Sequence, residues 1–346
     1  MSPVDDTAAM SEFASLSPRT QVMRLRAAAT EVLAAWPIHL ARLRLVFHGY
    51  NTTFRVDTTD GRTFALRLNV NSRKTAAGLL AEMSWMRALA DDTDVLLPVP
   101  QPTIAGDLTA EVAVPSLGRT IPAALFTWLR GPNLEEVADV DHLRALGRTT
   151  AVLHTHAEGW SLPVGAELAT TDHYWDAAYP MLIAPHETMT DERRSVFAEV
   201  LTQVRRVTPL VSATGPHHVL HADLHLGNAK WYRGRLSIFD FDDCLWGVRA
   251  HDLAITTYYI QPRRSLVDAL FEGYADVRPL PDLPDEHLQT LLAARNLLLI
   301  DEMLTNENAE LAAIMPRFMT NSEIRHRHFL ATGEFRHDLP GVVPLW

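Results

Sequence analysis

The chain has 346 residues, 47% hydrophobic and 21% charged, with a formal net charge of −11. That length suffices for two parts, each burying a core without disulfides or structural metal. The acidic balance argues against non-specific binding to nucleic acid or anionic lipid, which both need a basic face. Cys244 is the only cysteine, which rules out an intrachain disulfide or a cysteine-built zinc site and suits the reducing cytoplasm. MSPVDDTAAM holds no apolar segment of signal-peptide type, and no run of about 18 apolar residues occurs, so the chain is expected neither to be exported nor to span a membrane.

From Ser17 to Trp36 a serine cap, a proline at the first helical position and many helix formers predict a helix. RLRLVFH (42–48), TTFRVDTT (52–59) and RTFALRLN (62–69) read as antiparallel strands, with Asp60-Gly61 as the turn between the last two. Ser72 to Asp91 carries apolar residues at helical spacing. Glu82 lies three after Leu79 and four before Met86, which turns its carboxylate toward the core face. A proline-punctuated loop precedes strands near Leu108–Val114 and Ile121–Trp128, and Gly131-Pro132 breaks the chain. Beyond it the pattern is mostly helical, over His142–His156, Glu192–Val207, Ser265–Val277 and Glu286–Asn306. A short extended pair around 219–241 is the exception.

That segment, VLHADLHLGNAKWYRGRLSIFDFDD, sets carboxylates beside strand-forming residues. Buried carboxylates are paired, metal-bound or neutralised, so a cation is expected that the sequence does not supply. His221, Asp223 and Asn228 are spaced H-x-D-x-x-x-x-N, and a strand then ends in Asp240-Phe241-Asp242. Protein kinases combine H-R-D-L-x-x-x-N with D-F-G in this way. The loop, reading H-x-D-L-H-x-G-N, resembles that of the aminoglycoside phosphotransferase and choline kinase superfamily, small-molecule relatives of protein kinases.

The resemblance implies an α+β, bilobal, protein-kinase-like fold, with a small antiparallel-sheet N-terminal lobe (1–130) and a larger, mainly helical C-terminal lobe (131–346). It implies ATP and Mg2+ as cofactors and transfer of the γ-phosphate to a hydroxyl. Such chemistry is largely positioning plus cationic stabilisation, and magnesium favours hard oxygen ligands. Asp223 is the expected base, Asn228 and Asp240 the metal ligands, and His221, His225 and Asp242 supporting residues, with Asp243 unassigned. Arg67 in FALRL stands where kinases place the strand lysine, with Glu82 as its partner. An arginine fork differs from an ammonium in reach and geometry. In the degenerate glycine loop HGYNTTFRV, Gly49, Asn51, Thr52 and Thr53 are candidates for phosphate contact. LFTWLRG resembles the family hinge, with backbone groups of Thr127 and Leu129 expected to meet adenine. His154 reads as a packed core histidine, and Asp252 as a clamp on the catalytic region.

The acceptor is expected to be a small molecule such as an amino alcohol, aminoglycoside or sugar, met by residues among Trp246, Tyr258, Tyr259, Asp301 and Glu302. Two other readings stay open: a protein serine/threonine kinase resembling bacterial stress-response kinases, and a nucleotide-binding pseudokinase. Oligomeric state and ATP-versus-GTP preference are not legible here.

Overall fold

The structure, a computed structural model, describes residues 13, 16–70, 74–171, 186–305 and 309–345. Helix α1 (Pro18–Val32) starts as its sequence dictates, the Ser17 hydroxyl accepting the Thr20 N–H at 3.3 Å with proline in the first turn. Its buried positions Leu25, Ala28, Ala29 and Val32 form one stripe. That stripe packs on a five-stranded antiparallel sheet of order β1-β2-β3-β5-β4. The strands are β1 (Leu40–His48), β2 (Thr52–Thr58), β3 (Thr63–Leu68), β4 (Ala110–Val114) and β5 (Arg119–Thr127).

Strand alternation decides what each face does. Phe64, Leu66 and Leu68 of β3 join Phe54 and Val56 of β2 and Leu125 of β5 in the core under α1. Arg67, one residue out of that phase, points to the opposite face. Gly61 takes φ +84 in the β2–β3 turn, a conformation that favours glycine. Helix α2 (Ala76–Asp92) follows, the Thr75 hydroxyl accepting the Gly78 N–H at 3.1 Å. Residues 72–73 of the expected helix lie outside the described residues.

The chain divides into two compact units, one made of the described part of Met1–Ala90 with Leu97–Leu129 and Pro163–Ala166, the other of the remainder. The second unit is mainly helical. Helix α3 (Val140–Gly159) is capped by Asp139 and α4 (Asp191–Ser212) by Thr190, each side chain accepting a first-turn N–H. α5 (Ala250–Ile260), α6 (Arg264–Ala275), α7 (Asp285–Thr305) and α8 (Ala309–Thr332) complete the set. α3 and α6 cross at glycines: a Cβ on Gly147 would lie 2.0 Å from the Leu270 carbonyl oxygen, and one on Gly273 2.0 Å from that of Arg144. Phe197 and Val204 of α4, Leu297 and Ile300 of α7, and Phe318 and Met319 of α8 share one core.

Two helices, α5 and α8, were not expected. α5 is buried almost all round, so no amphipathic period marks it, and α8 carries Pro316 in its interior, which reads as a break. The extended pair around 219–241 also resolves differently. β6 (His218–Leu220) pairs with β9 (Leu245–Gly247), while β7 (Ala229–Tyr232) and β8 (Arg235–Ile238) form their own hairpin. Arg233 (φ +53) and Gly234 (φ +78) make the β7–β8 turn, the double positive φ of a tight hairpin. No described helix is long and apolar enough to cross a membrane.

Candidate functional site

In the first unit, the Arg67 guanidinium grips Glu82 with both terminal nitrogens, Nη1 2.8 Å from Oε1 and Nη2 3.0 Å from Oε2. Its Nε donates to Asn69 Oδ1 at 3.2 Å, and its plane lies over Phe126. Lys74 adds a second cation, Nζ 2.9 Å from Glu82 Oε2. Glu82 is fully buried, beside Leu79 and Met86 on the core face of α2. Burial pushes its carboxyl up, but Arg67 and then Lys74 more than offset this and hold it at about 2. The sequence reading missed Lys74, although its being one of only two lysines was a signal.

The glycine-loop candidates separate. Gly49 and Asn51 lie half-buried in the β1–β2 turn, the Gly49 N–H donating to the Asn51 carbonyl at 3.1 Å. A Cβ on Gly49 would strike the Phe47 ring at 2.6 Å. Thr52 is completely buried, and its hydroxyl is hydrogen-bonded at 2.8 Å to His48 Nδ1, so in this structure its side chain is spent inside the hairpin. At the hinge the Thr127 N–H donates to the Val99 carbonyl and its hydroxyl accepts the Val99 N–H. This narrows the adenine expectation there to the Thr127 carbonyl. Leu129 follows, half-buried.

In the second unit one buried carboxylate shapes the loop. Asp252, in the first turn of α5, accepts the main-chain N–H of Ala222 at 2.7 Å and of His221 at 3.2 Å. His154 Nε2 lies 3.0 Å from the same carboxylate, while its Nδ1 meets the Tyr274 hydroxyl at 2.9 Å. Burial raises the Asp252 carboxyl, and the His154 hydrogen bond leads the contacts that bring it below its ordinary value. The clamp holds Ala222 at φ +63, a left-handed conformation costing on the order of 1 kcal/mol for a non-glycine residue. His221 is fully buried; its Nδ1 accepts the Asp223 N–H at 3.4 Å, so Nε2 carries the proton given to the Phe239 carbonyl at 3.1 Å. Desolvation lowers the pKa of that ring below the ordinary histidine value. His221 therefore ties the loop to the 239–243 segment.

Asp223 projects from this loop with both oxygens engaged. Oδ2 accepts from Asn228 Nδ2 at 2.9 Å, and the Asp223 carbonyl accepts from the same nitrogen at 2.9 Å. His225 Nδ1 accepts the Gly227 N–H, which leaves its Nε2–H facing Asp223 Oδ2 at 3.5 Å, with the ring stacked on Tyr259. Oδ1 accepts from Arg295 Nη2, which also donates to the Tyr259 hydroxyl at 2.9 Å. Burial works against the charged form of Asp223, and Arg295 is the largest influence keeping its carboxyl below the usual range. The sequence reading missed Arg295. Its signal was one charge inside the apolar run LLAARNLLLI, where an arginine is buried only if paired.

Asn228 and Asp240 fit the donor chemistry of a hard divalent cation. Spending Nδ2 on Asp223 turns the Asn228 amide oxygen away from that carboxylate, and the Phe239 N–H donates to the Asn228 carbonyl at 2.9 Å, joining the two segments. Asp240 is exposed, at φ +67, just past the end of β8. Phe241 anchors the segment by complete burial against His221. Asp242, half-buried, and Asp243 follow in a turn.

Beside Asp223 the second unit holds a small cavity of about 60 Å³. Leu245, Ile255, Leu291 and Leu298 supply apolar wall; Asp243, Arg295 and Glu302 supply charge. Asp243 is open to the cavity, yet enclosure and then the charges of Asp223 and Glu302 raise its carboxyl well above the ordinary value. Of the acceptor candidates, Glu302 lines this cavity and Tyr259 touches Arg295. Trp246 and Asp301 are not among its lining residues, and Tyr258 is buried with its hydroxyl on Asn296.

Residues 19–316 match the model of a phosphotransferase enzyme family. Three kinds of similar protein illustrate its range. A microcompartment-associated aminopropanol kinase superposes with a TM-score of 0.76 at 22% identity, covering 90% of this chain and 99% of that one. The amicoumacin kinase of Bacillus subtilis (strain 168) is 23% identical over 202 residues, and the match spans 58% of either protein. The amicoumacin kinase hAmiN, solved with AMP-PNP, Ca2+ and Ami, superposes with a TM-score of 0.71 at 16% identity, covering 89% and 96% of the two chains. The homoserine kinase of Gluconobacter oxydans (strain 621H) is 28% identical over 265 residues, 71% of this chain and 77% of that protein.

Proposed function

The chain belongs to the phosphotransferase enzyme family, and from that premise we propose that it moves the γ-phosphate of ATP to the hydroxyl of a small molecule. The antiparallel sheet with α2 and the larger helical unit agree with the protein-kinase-like fold, and a hydroxyl acceptor is in keeping with the similarity to an aminopropanol kinase and a homoserine kinase.

The observation that carries the reading is the loop 221–228, in which Asp252, His221 and Asn228 together fix the Asp223 carboxylate in place. In the transfer, the acceptor oxygen forms its bond to the γ-phosphorus as the bond from that phosphorus to the β-phosphate bridging oxygen breaks. ADP leaves with that electron pair, and the acceptor's proton passes to Asp223, general-base work that typically contributes roughly 10²–10⁴-fold. Asn228 and Asp240, with Asp242 as auxiliary, would hold Mg2+, whose bound charge offsets that on the phosphate oxygens. Arg67, oriented by Glu82 and joined by Lys74, would meet the nucleotide phosphates, with Gly49 and Asn51 adding main-chain or amide contacts. The Thr127 carbonyl and the Leu129 N–H would meet adenine. His221 and His225 orient the loop and exchange no proton with substrate.

The acceptor reading is an amine-bearing alcohol, supported by the carboxylates of Asp243 and Glu302 in the cavity beside Asp223. The experiment is Mg2+-dependent ADP release with a panel of amino alcohols, aminoglycosides and sugars, each product checked by mass for one added phosphate. Acceptor-dependent release with a phosphorylated product is expected. Nucleotide binding without turnover on any acceptor would leave the pseudokinase reading standing instead.

A further inference from the structure

Strand register fixes which side chains share the face of the sheet turned away from α1. Arg67 of β3 lies opposite Thr53 of β2 and Ala124 of β5; two residues along the same strands, Ala65 lies opposite Arg55 and Phe126. Both rows are out of phase with Phe54, Val56, Leu66 and Leu125, which are buried under α1. Arg67, paired with Glu82, marks the phosphate end of the proposed nucleotide site, and Thr127, next after Phe126 on β5, marks the base end. Arg55 stands two residues, roughly 7 Å, from the Arg67 row and on the Thr127 side. Its Nε donates to Asp57 Oδ1 at 2.8 Å, Arg44 Nη2 donates to Oδ2 at 2.7 Å, and the Arg55 guanidinium carbon lies over the Trp128 ring, 5.1 Å from its centroid. Two guanidinium groups thus share one carboxylate, and the Arg55 side chain keeps 33% of its surface exposed.

Between Arg55 and Phe126 the row carries only the methyl group of Ala65, so the sheet face is shallow there, bounded by a planar cation and an aromatic ring. A guanidinium stacks on aromatic faces and is more weakly hydrated than an ammonium, so covering it with a flat ring costs less desolvation. We propose that Arg55 is a base-stacking residue of the nucleotide site, the purine lying face-on against the Arg55 guanidinium and the Ala65 methyl, beside the Thr127 carbonyl. This rests on the phosphotransfer reading of the site. Asp57 and Trp128 act through Arg55: one holds its Nε edge and the other its face, so the plane is set before the nucleotide arrives. The contact is to the ring face. It therefore adds affinity for the base itself and none for the phosphates.

The test compares calorimetric titrations with Mg2+ and either AMP-PNP or ribose triphosphate, which keeps sugar and phosphates but lacks the base. The full chain is used as parent, Arg55→Ala and Arg55→Lys, each variant first checked for its thermal midpoint. Arg55→Ala should weaken AMP-PNP binding roughly 3- to 30-fold, the scale of a cation–π contact, and leave ribose triphosphate binding unchanged. Arg55→Lys keeps a charge for Asp57 but not the plane, so it should hold the parent's thermal midpoint and recover only part of the AMP-PNP affinity. Equal losses for the two ligands in Arg55→Ala would make Arg55 a sugar or phosphate contact, and unchanged affinity for both would make it a support for Asp57. Either result overturns the proposal. So does full recovery in Arg55→Lys, or a parent that binds AMP-PNP no more tightly than ribose triphosphate. If the parent binds no nucleotide at all, the phosphotransfer reading falls first and takes this inference with it.

Discussion

Oδ1 of Asp252 accepts the main-chain N–H of Ala222 at 2.7 Å, so a helix side chain dictates the backbone of the residue next to the proposed base. The same carboxylate holds the His221 N–H and His154. Asp252→Ala would leave these donors buried and unpaired, and breaking a buried network of this kind costs about 3–5 kcal/mol. We expect a large drop in the urea midpoint together with lost activity, and smaller losses in Asp252→Asn, which keeps one acceptor oxygen. The Asp252 carboxyl is depressed in the fold, so its contribution is present above the ordinary aspartate range and fades as pH falls through the lower folded value.

Glu82 should behave in the same sense and more sharply. Its carboxyl sits at about 2 in the fold against an ordinary 4.5, which corresponds to about 3 kcal/mol of stability. That contribution is complete above about pH 4.5 and is lost as pH falls toward 2. Urea unfolding followed from pH 6 downward should show this loss in the parent, and Glu82→Gln should be less stable at pH 6 with a flatter acid limb. An identical pH dependence in both proteins would contradict the assignment.

Lys74 shares the Glu82 carboxylate with Arg67, and only two lysines exist in the chain. If its ammonium meets phosphate, Lys74→Ala should raise KM for ATP roughly 3- to 30-fold, one or two charge-assisted contacts' worth, with KM for the acceptor nearly unchanged. Lys74→Arg should recover part of that loss, since charge is kept and geometry is not. Steady-state kinetics with each substrate varied in turn makes the distinction.

The legible part of the molecule is the part with local rules. The Ser17-Pro18 helix start, the Asp60-Gly61 turn and the alternation that buries Phe64 and Leu66 while freeing Arg67 for Glu82 all depend on neighbours within a few residues. The H-x-D-x-x-x-x-N spacing located Asp223 and Asn228 because both lie on one loop. Arg295 stands 72 positions from Asp223, and the two meet only through the packing of α7, so no local pattern joins them. Helix α5 was invisible because it is buried nearly all round, and Pro316 hid α8. Thr52 reads as a phosphate-loop residue, although the alternation that buries Phe54 and Val56 puts it on the same inward face of β2, where its hydroxyl meets His48.

Glu302 carries a raised carboxyl, first from burial and then from the charge of Asp223. A raised acid opposes folding once it ionises, so stability should fall as pH rises from the ordinary glutamate range through the higher folded value. Glu302→Gln is therefore expected to raise the thermal midpoint at pH 8 while raising KM for an amine-bearing acceptor. Stability gained with acceptor affinity unchanged would remove Glu302 from the pocket's function.

Asp223 is the residue on which the proposed transfer depends most directly. Acceptor-dependent ADP release by Asp223→Ala should be measured beside calorimetric titration of the same protein with Mg2+ and an unhydrolysable ATP analogue. We expect turnover to fall by roughly 10²–10⁴-fold while nucleotide affinity stays within a few-fold of the parent. Turnover equal to that of the parent would show that the carboxylate so carefully fixed by Asp252, Asn228 and Arg295 is not the one that receives the proton.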